Sequence, residues 1–164
     1  MKNTKILTTF FSATGKTKKV AEILSKELNS DLYEITPEKK YTSEDLNGYN
    51  VKSRTYIEYT TKNSRPKIKD KNANIEKYDI ILLGFPIWWH IAPPIINTFL
   101  EMYNFTGKKI ILFGTSMSDN FGETVLYLKD SCKGSDIIEG KIFTSIIEGE
   151  IKKFIKSIKS IISI

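Results

Sequence analysis

Three short segments concentrate the side chains that could hold a ligand. The first, Ser12-Ala13-Thr14-Gly15-Lys16-Thr17, places three hydroxyls and a lysine within six residues. It follows an apolar run and leads into Lys18-Lys19-Val20-Ala21-Glu22-Ile23-Leu24, whose apolar residues have helical spacing. A hydroxyl-rich turn at a helix start presents free backbone N–H groups and the positive end of the helix dipole, and so suits a phosphate. An ordinary N-cap needs only one Ser or Thr, so three favour the phosphate. Gly15-Lys16-Thr17 also matches the end of a nucleotide-binding P-loop, but that pattern needs a glycine five positions before Gly15, where Phe10 stands. Nucleotide hydrolysis is disfavoured accordingly.

The second segment reads Gly84-Phe85-Pro86-Ile87-Trp88-Trp89-His90-Ile91-Ala92-Pro93-Pro94. Adjacent tryptophans in a proline-bounded loop are hard to bury completely, and such a loop can present a flat aromatic wall or simply cap the core. The third, Thr115-Ser116-Met117-Ser118-Asp119-Asn120-Phe121-Gly122, is a second polar loop entering a helical pattern. Phosphate donors, an aromatic wall and a polar loop together suit a phosphorylated, planar aromatic cofactor.

The elements that must position these loops alternate between short apolar runs and longer amphipathic stretches, the pattern of a parallel sheet with helices around it. Strands are expected at Lys5–Phe11, Asp31–Ile35, Asp79–Gly84, Lys109–Thr115 and, more weakly patterned, Asp136–Phe143; the third and fourth are continuous apolar runs that suit strands covered on both faces. Helices are expected at Thr17–Asn29, Pro94–Tyr103, Gly122–Asp130 and Gly149–Ile162, with one more around Glu44–Thr60 followed by a polar loop. In the last helix Ile151, Phe154, Ile155, Ile158, Ile161 and Ile162 form one stripe. All three ligand-bearing loops then fall at the carboxyl ends of strands, where open parallel sheets bind ligands.

Composition narrows the class. The chain has 164 residues, a length suited to one domain spanning 1–164, and 40% hydrophobic residues, too many for a disordered chain. A single cysteine, Cys132, and a single histidine, His90, cannot form an internal disulfide or a four-ligand zinc site of the usual kind, so no metal site is expected and a reducing, cytoplasmic setting fits. There is no signal-peptide pattern after Met1 and no apolar run long enough for a membrane span. The formal charge of +6 is concentrated at residues 50–77, where eight cations face three anions. That segment includes Tyr56 and Tyr59 but no recognisable nucleic-acid motif, and reads as a surface crossover rather than a specific nucleic-acid site.

The first segment, FSATGKT, resembles the phosphate loop of flavodoxins, and GFPIWWHIAPP is similar to the flavin loop of small bacterial flavodoxin-like proteins that read Gly-Tyr-Pro-Ile-Trp-Trp. TFLEMYNFTGKKIILFGTS continues the likeness, which covers most of the chain outside residues 40–75. The resemblance implies an α/β three-layer sandwich, with a five-stranded parallel sheet in the order 2-1-3-4-5, and non-covalent binding of FMN. It implies that Ser12, Thr14, Gly15, Lys16 and Thr17 bind the FMN phosphate. Pro86, Ile87, Trp88, Trp89 and His90 would line one side of the isoalloxazine, and Thr115, Ser116, Met117 and Ser118 the other.

The implied function is low-potential electron transfer to redox partner proteins, by a monomer or weak dimer with no catalytic residue of its own. An NAD(P)H-dependent FMN or quinone reductase of the same fold, or a flavin-binding sensor, is the alternative. Two departures stand out. Flavodoxins are typically acidic and this chain is basic, and His90 occupies a position where electron carriers often have a glycine able to adopt positive φ. A side chain there is expected to resist that conformation.

Overall fold

The computed structural model describes residues 4–118 and 120–162. Five parallel strands, β1 (Ile6–Phe10), β2 (Asp31–Glu34), β3 (Ile80–Pro86), β4 (Lys109–Thr115) and β5 (Asp136–Phe143), pair in the order β2-β1-β3-β4-β5. This is the expected flavodoxin-like α/β sheet, and each strand lies within about two residues of its expected bounds. The helices are α1 (Lys16–Leu28), α2 (Arg54–Thr60), α3 (Pro94–Glu101), α4 (Thr124–Lys129) and α5 (Glu148–Ile162).

The two faces of the sheet are sorted by the two-residue period of β3. Ile80 and Leu82 join Phe10, Ile111 and Phe113 beneath α1 and α5, where Val20, Ala21, Leu24, Ile151, Phe154, Ile155 and Ile158 are buried. Ile81, Leu83 and Phe85 join Leu7, Ile110 and Leu112 on the other face, against Ile95, Ile96, Phe99 and Leu100 of α3 and Leu128 of α4. Burial on both sides explains why β3 and β4 read as unbroken apolar runs. Each fully buried Leu, Ile or Phe contributes about 1.5–3 kcal/mol of transfer free energy. The stripe on α5 is buried as far as Ile158, while Ile161 and Ile162 pack against its margin.

α1 stops where Asn29 turns left-handed at φ 48°, its N–H donating to the Lys26 carbonyl and that of Ser30 to the Ser25 carbonyl. The chain then enters β2 at once.

The crossover from β2 to β3 departs from expectation. Of the expected helix only Arg54–Thr60 forms, residues 42–53 being turns and bends, and a short 3-10 helix at Ile75–Lys77 precedes β3. Short polar side chains there capture the backbone locally: Asp45 accepts from the Thr42 N–H and Thr42 from the Asp45 N–H, Asn47 from the Tyr49 N–H and Asn50 from the Lys52 N–H. Such bonds compete with the helix for the same groups, and Ser53 finally caps α2 by accepting from the Tyr56 N–H. No helix of the described residues is long and apolar enough to cross a membrane. Among those residues no group of three or more His, Cys, Asp or Glu is placed to hold a metal.

Candidate functional site

The strand order reverses between β1 and β3, and the crevice beyond their carboxyl ends is where such sheets bind ligands. The phosphate-type loop occupies it. Gly15 caps α1 in the left-handed region at φ 90°, a conformation that costs glycine nothing, and its N–H donates to Ser12 Oγ at 3.1 Å. The first bond within the helix runs from the Lys19 N–H to the Gly15 carbonyl. The amides of Lys16, Thr17 and Lys18 therefore face out of the helix start, at the positive end of its dipole.

Beside this loop lies a cleft of about 600 Å³ lined by Thr14, Lys16, Lys19, Pro86, Ile87, Thr115, Ser116, Met117 and residues 143–146. Seven expected site residues thus meet on one wall system, and the volume is within the range of small-molecule sites. Lys19 and the Phe143-Thr144-Ser145-Ile146 segment were not anticipated. The latter follows β5, and the rule that ligands sit at carboxyl strand ends points to it as readily as to the loops after β1, β3 and β4.

Thr17 plays a different part from Thr14. It is 1% exposed, and its hydroxyl shares a 2.7 Å hydrogen bond with Thr115 Oγ1. That bond ties the start of α1 to the end of β4, so the Thr17 side chain positions the cleft while its amide remains at the helix start. Ser116 accepts at Oγ from the Ser118 N–H, and Ser118 Oγ from Asn120 Nδ2. Met117 stands fully exposed at the tip of this loop. Asp119 lies outside the described residues.

The tryptophan segment is more ordered than a loop. Trp88 and Ile91 exchange both backbone hydrogen bonds, at 3.0 and 3.1 Å, around a two-residue turn in which Trp89 has φ 53° and His90 φ 66°. Both central residues being left-handed makes this a I′-type hairpin turn. The expectation that a side chain at position 90 would resist positive φ is corrected: His90 adopts it, because the paired Trp88–Ile91 rungs impose that turn. Its side chain is exposed, and its carbonyl packs directly on Gly122 in the neighbouring loop, leaving no room for a Cβ there.

Neither tryptophan lines the 600 Å³ cleft. They line an adjoining groove of about 330 Å³ with Leu46, Gly48, Tyr49 and Thr55, and Ile87 forms part of both walls. Trp88 meets Phe11 and Tyr41 edge-on, with centroids at 5.5 and 5.3 Å. Trp89 stacks on Tyr59 at 5.6 Å and 17° and meets Tyr56 edge-on. Tyr56 and Tyr59 are three apart on α2 and so share its face.

A polar latch holds this crossover in place. Tyr41 donates to Glu58 Oε2 at 2.7 Å, Arg54 Nε donates to Glu58 Oε1 at 2.7 Å, and the Arg54 guanidinium lies 3.8 Å from the centre of the Tyr41 ring. Burial, with the Glu58 carboxylate beside it, pushes the Tyr41 phenol far above its ordinary value, so it stays a donor. Arg54 and Glu58 are an i,i+4 pair within α2, a spacing legible in the sequence, but nothing in the sequence marks Tyr41, 13 residues before Arg54 and outside that helix, as its third member.

Comparison with known proteins agrees with this architecture. The chain matches the flavodoxin family over residues 5–158. It is 28% identical over 118 residues to Flavodoxin 1 of Salmonella typhimurium and of Escherichia coli K12, covering 70% of this chain and 51% of those proteins. The chain thus spans about half the length of those relatives. Among solved structures it resembles a candidate flavoprotein from Bacteroides eggerthii, at 39% identity and TM-score 0.86 over 96% of this chain and 99% of that one. It also resembles a flavoprotein in complex with FMN from Lactobacillus acidophilus, at 25% identity and TM-score 0.68 over 85% and 92% of the two chains. A match running from the residue before β1 to Ile158, the last buried residue of α5, takes in the whole sheet and the loops after β1, β3 and β4, and the chain belongs to the flavodoxin family.

Proposed function

We propose that the cleft holds FMN and that the protein carries electrons between redox partners. The observation that carries this reading is the convergence of an open helix start, the Thr14 hydroxyl and two lysines on one cleft whose other walls are Pro86-Ile87 and Ser116-Met117. The amides of Lys16 to Lys18 and the hydroxyls of Ser12 and Thr14 would bind the terminal phosphate, and Lys16 and Lys19 would balance its charge. Ser12, already turned toward Gly15, would keep this loop in shape. Pro86 and Ile87 would exclude water from one side of the ring system, with Thr115, Ser116, Met117 and Ser118 bounding the other. Trp88 and Trp89 would support that wall from the adjoining groove, and His90 through the turn in which its carbonyl packs on Gly122.

Bound FMN would supply reversible uptake of electrons in its ring system. The chain contributes position, burial and charge. The FMN complex of the Lactobacillus acidophilus flavoprotein supports this choice of flavin. A reducing, cytoplasmic setting belongs to the same reading, with Cys132 buried and its thiol pushed up by that burial.

The test is to load the pure protein with FMN and follow flavin absorbance anaerobically with dithionite, then with NADH and NADPH. A carrier is reduced by dithionite and oxidises neither nicotinamide faster than free FMN does. Turnover of NADH or NADPH by the protein alone would make it a reductase instead.

A further inference from the structure

The crossover beside the tryptophan turn carries both unpaired positive charge and uncovered aromatic surface. Residues 37–71 hold nine cations and five anions. Arg54 and Arg65 are paired with Glu58 and Glu101, whereas Lys40, Lys52, Lys62, Lys67 and Lys69 are exposed and make no ion pair among the described residues. Lys39 is exposed too, within electrostatic reach of Asp45. Glu38 and Glu44 are the remaining acids of this stretch, together with Asp70.

The placement is specific. Ile68 bridges Pro37 just beyond β2, so Lys67 and Lys69 flank that bridge on the carboxyl edge of the sheet, next to Lys39 and Lys40. Tyr41 follows directly and reaches Trp88. Within the same crossover Tyr49 is 102% exposed and Val51 63%, and Tyr49 forms a wall of the groove that contains Trp88 and Trp89. An aromatic centre with a charged margin is the anatomy of a protein-binding surface. Its charge repels a second copy of itself, which disfavours self-association through this face.

We infer that this face docks a redox protein with an acidic surface, the inverse of the polarity found in acidic flavodoxins. The inference rests on the electron-carrier reading and adds the chemistry of its partner. Complementary charge would steer the encounter, and Tyr49 and the groove would give the contact its apolar centre, next to the wall of the cofactor cleft.

The experiment uses FMN-loaded protein in stopped flow with two probes of opposite charge. Reduced acidic [2Fe–2S] ferredoxin gives one electron per cluster to the oxidised flavin, and oxidised cytochrome c, which is basic, takes one electron per haem from the reduced flavin. Raising salt from about 10 to about 200 mM should slow the ferredoxin reaction about tenfold and speed the cytochrome c reaction. Lys40→Glu/Lys67→Glu/Lys69→Glu should reverse both trends, and the matching triple Gln variant, which avoids new repulsion, should flatten them. Tyr49→Ser should slow ferredoxin several-fold at every salt concentration while leaving FMN binding unchanged.

The inference is overturned if the cytochrome c reaction is the one that salt slows, or if neither rate responds to salt. It is equally overturned if sedimentation shows a dimer that Tyr49→Ser dissociates, or if an oligo(U) RNA binds below micromolar concentration and Lys→Gln abolishes that binding. Failure of the protein to take up FMN at all would be seen first, in the loading step, and would count against the cofactor reading rather than the docking face.

Discussion

Gly122 gives the sharpest structural test, because it joins the two loops that flank the cleft. It sits at φ 55°, and a Cβ built on it would run into the carbonyl oxygen of His90. Gly122→Ala therefore incurs two costs. The left-handed conformation costs a non-glycine residue about 1–2 kcal/mol. Forcing apart two packed backbones adds about 1–3 kcal/mol, as overpacking does in cores. The His90 carbonyl cannot yield by a rotamer change, since the Trp88–Ile91 bonds on either side fix its peptide. Urea unfolding of the apoprotein should show a loss of about 2–4 kcal/mol, at unchanged slope with denaturant. Gly122→Asn separates the two causes: asparagine tolerates the left-handed region but keeps the Cβ, so most of the loss should remain. FMN titration should show weaker binding in both variants, because the tryptophan turn is displaced. If Gly122→Asn is as stable as the parent, the contact with His90 carries no energy and the reasoning fails.

Thr14→Val should weaken FMN binding by about 1.5–3 kcal/mol by removing a hydroxyl donor to a charged acceptor, leaving riboflavin binding unchanged; calorimetric titration of both ligands checks it. Thr17→Val should destabilise the apoprotein by about 1–3 kcal/mol because it strands the buried Thr115 hydroxyl, and Thr17→Val/Thr115→Val should lose less than the two single variants added together. Trp88→Leu and Trp89→Leu, made separately, should each loosen the crossover, and at least one should raise the fluorescence of bound flavin; no change in either would remove the tryptophans from the cofactor's surroundings. Glu101 receives two hydrogen bonds from Arg65 and one from Ser131, which hold its carboxyl below the ordinary value. A depressed folded pKa stabilises above the unfolded value of about 4.3 and is lost as pH falls through the folded one, so Glu101→Gln should flatten the fall in melting temperature below about pH 4.3.

The order of the elements was legible because burial on two faces writes itself into β3 and β4 as unbroken apolar runs and into α5 as a stripe. The turn from Ser12 to Thr17 was legible for a similar reason: apart from Thr115, which anchors Thr17, the residues that shape it are contiguous. The crossover was not. Residues 42–53 have enough helix-compatible content to suggest a helix, yet Thr42, Asp45, Asn47 and Asn50 each bond to nearby backbone, a competition that periodicity does not register. Spacing along the chain shows the i,i+4 pair of Arg54 and Glu58 within α2, but not the long-range contacts by which Tyr41 joins it. The hairpin turn that directs the tryptophans into the adjoining groove was not legible, because it requires positive φ at Trp89 and His90, which neither residue type advertises.

The proposed cofactor site depends above all on selection of a terminal phosphate by the start of α1 and its lysines. Calorimetric titration of the apoprotein with FMN and with riboflavin, under one buffer and salt condition, measures that selection. Several charge-assisted hydrogen bonds of about 1.5–3 kcal/mol each predict FMN binding at least about a hundredfold tighter than riboflavin. Equal affinity for the two flavins would contradict the account.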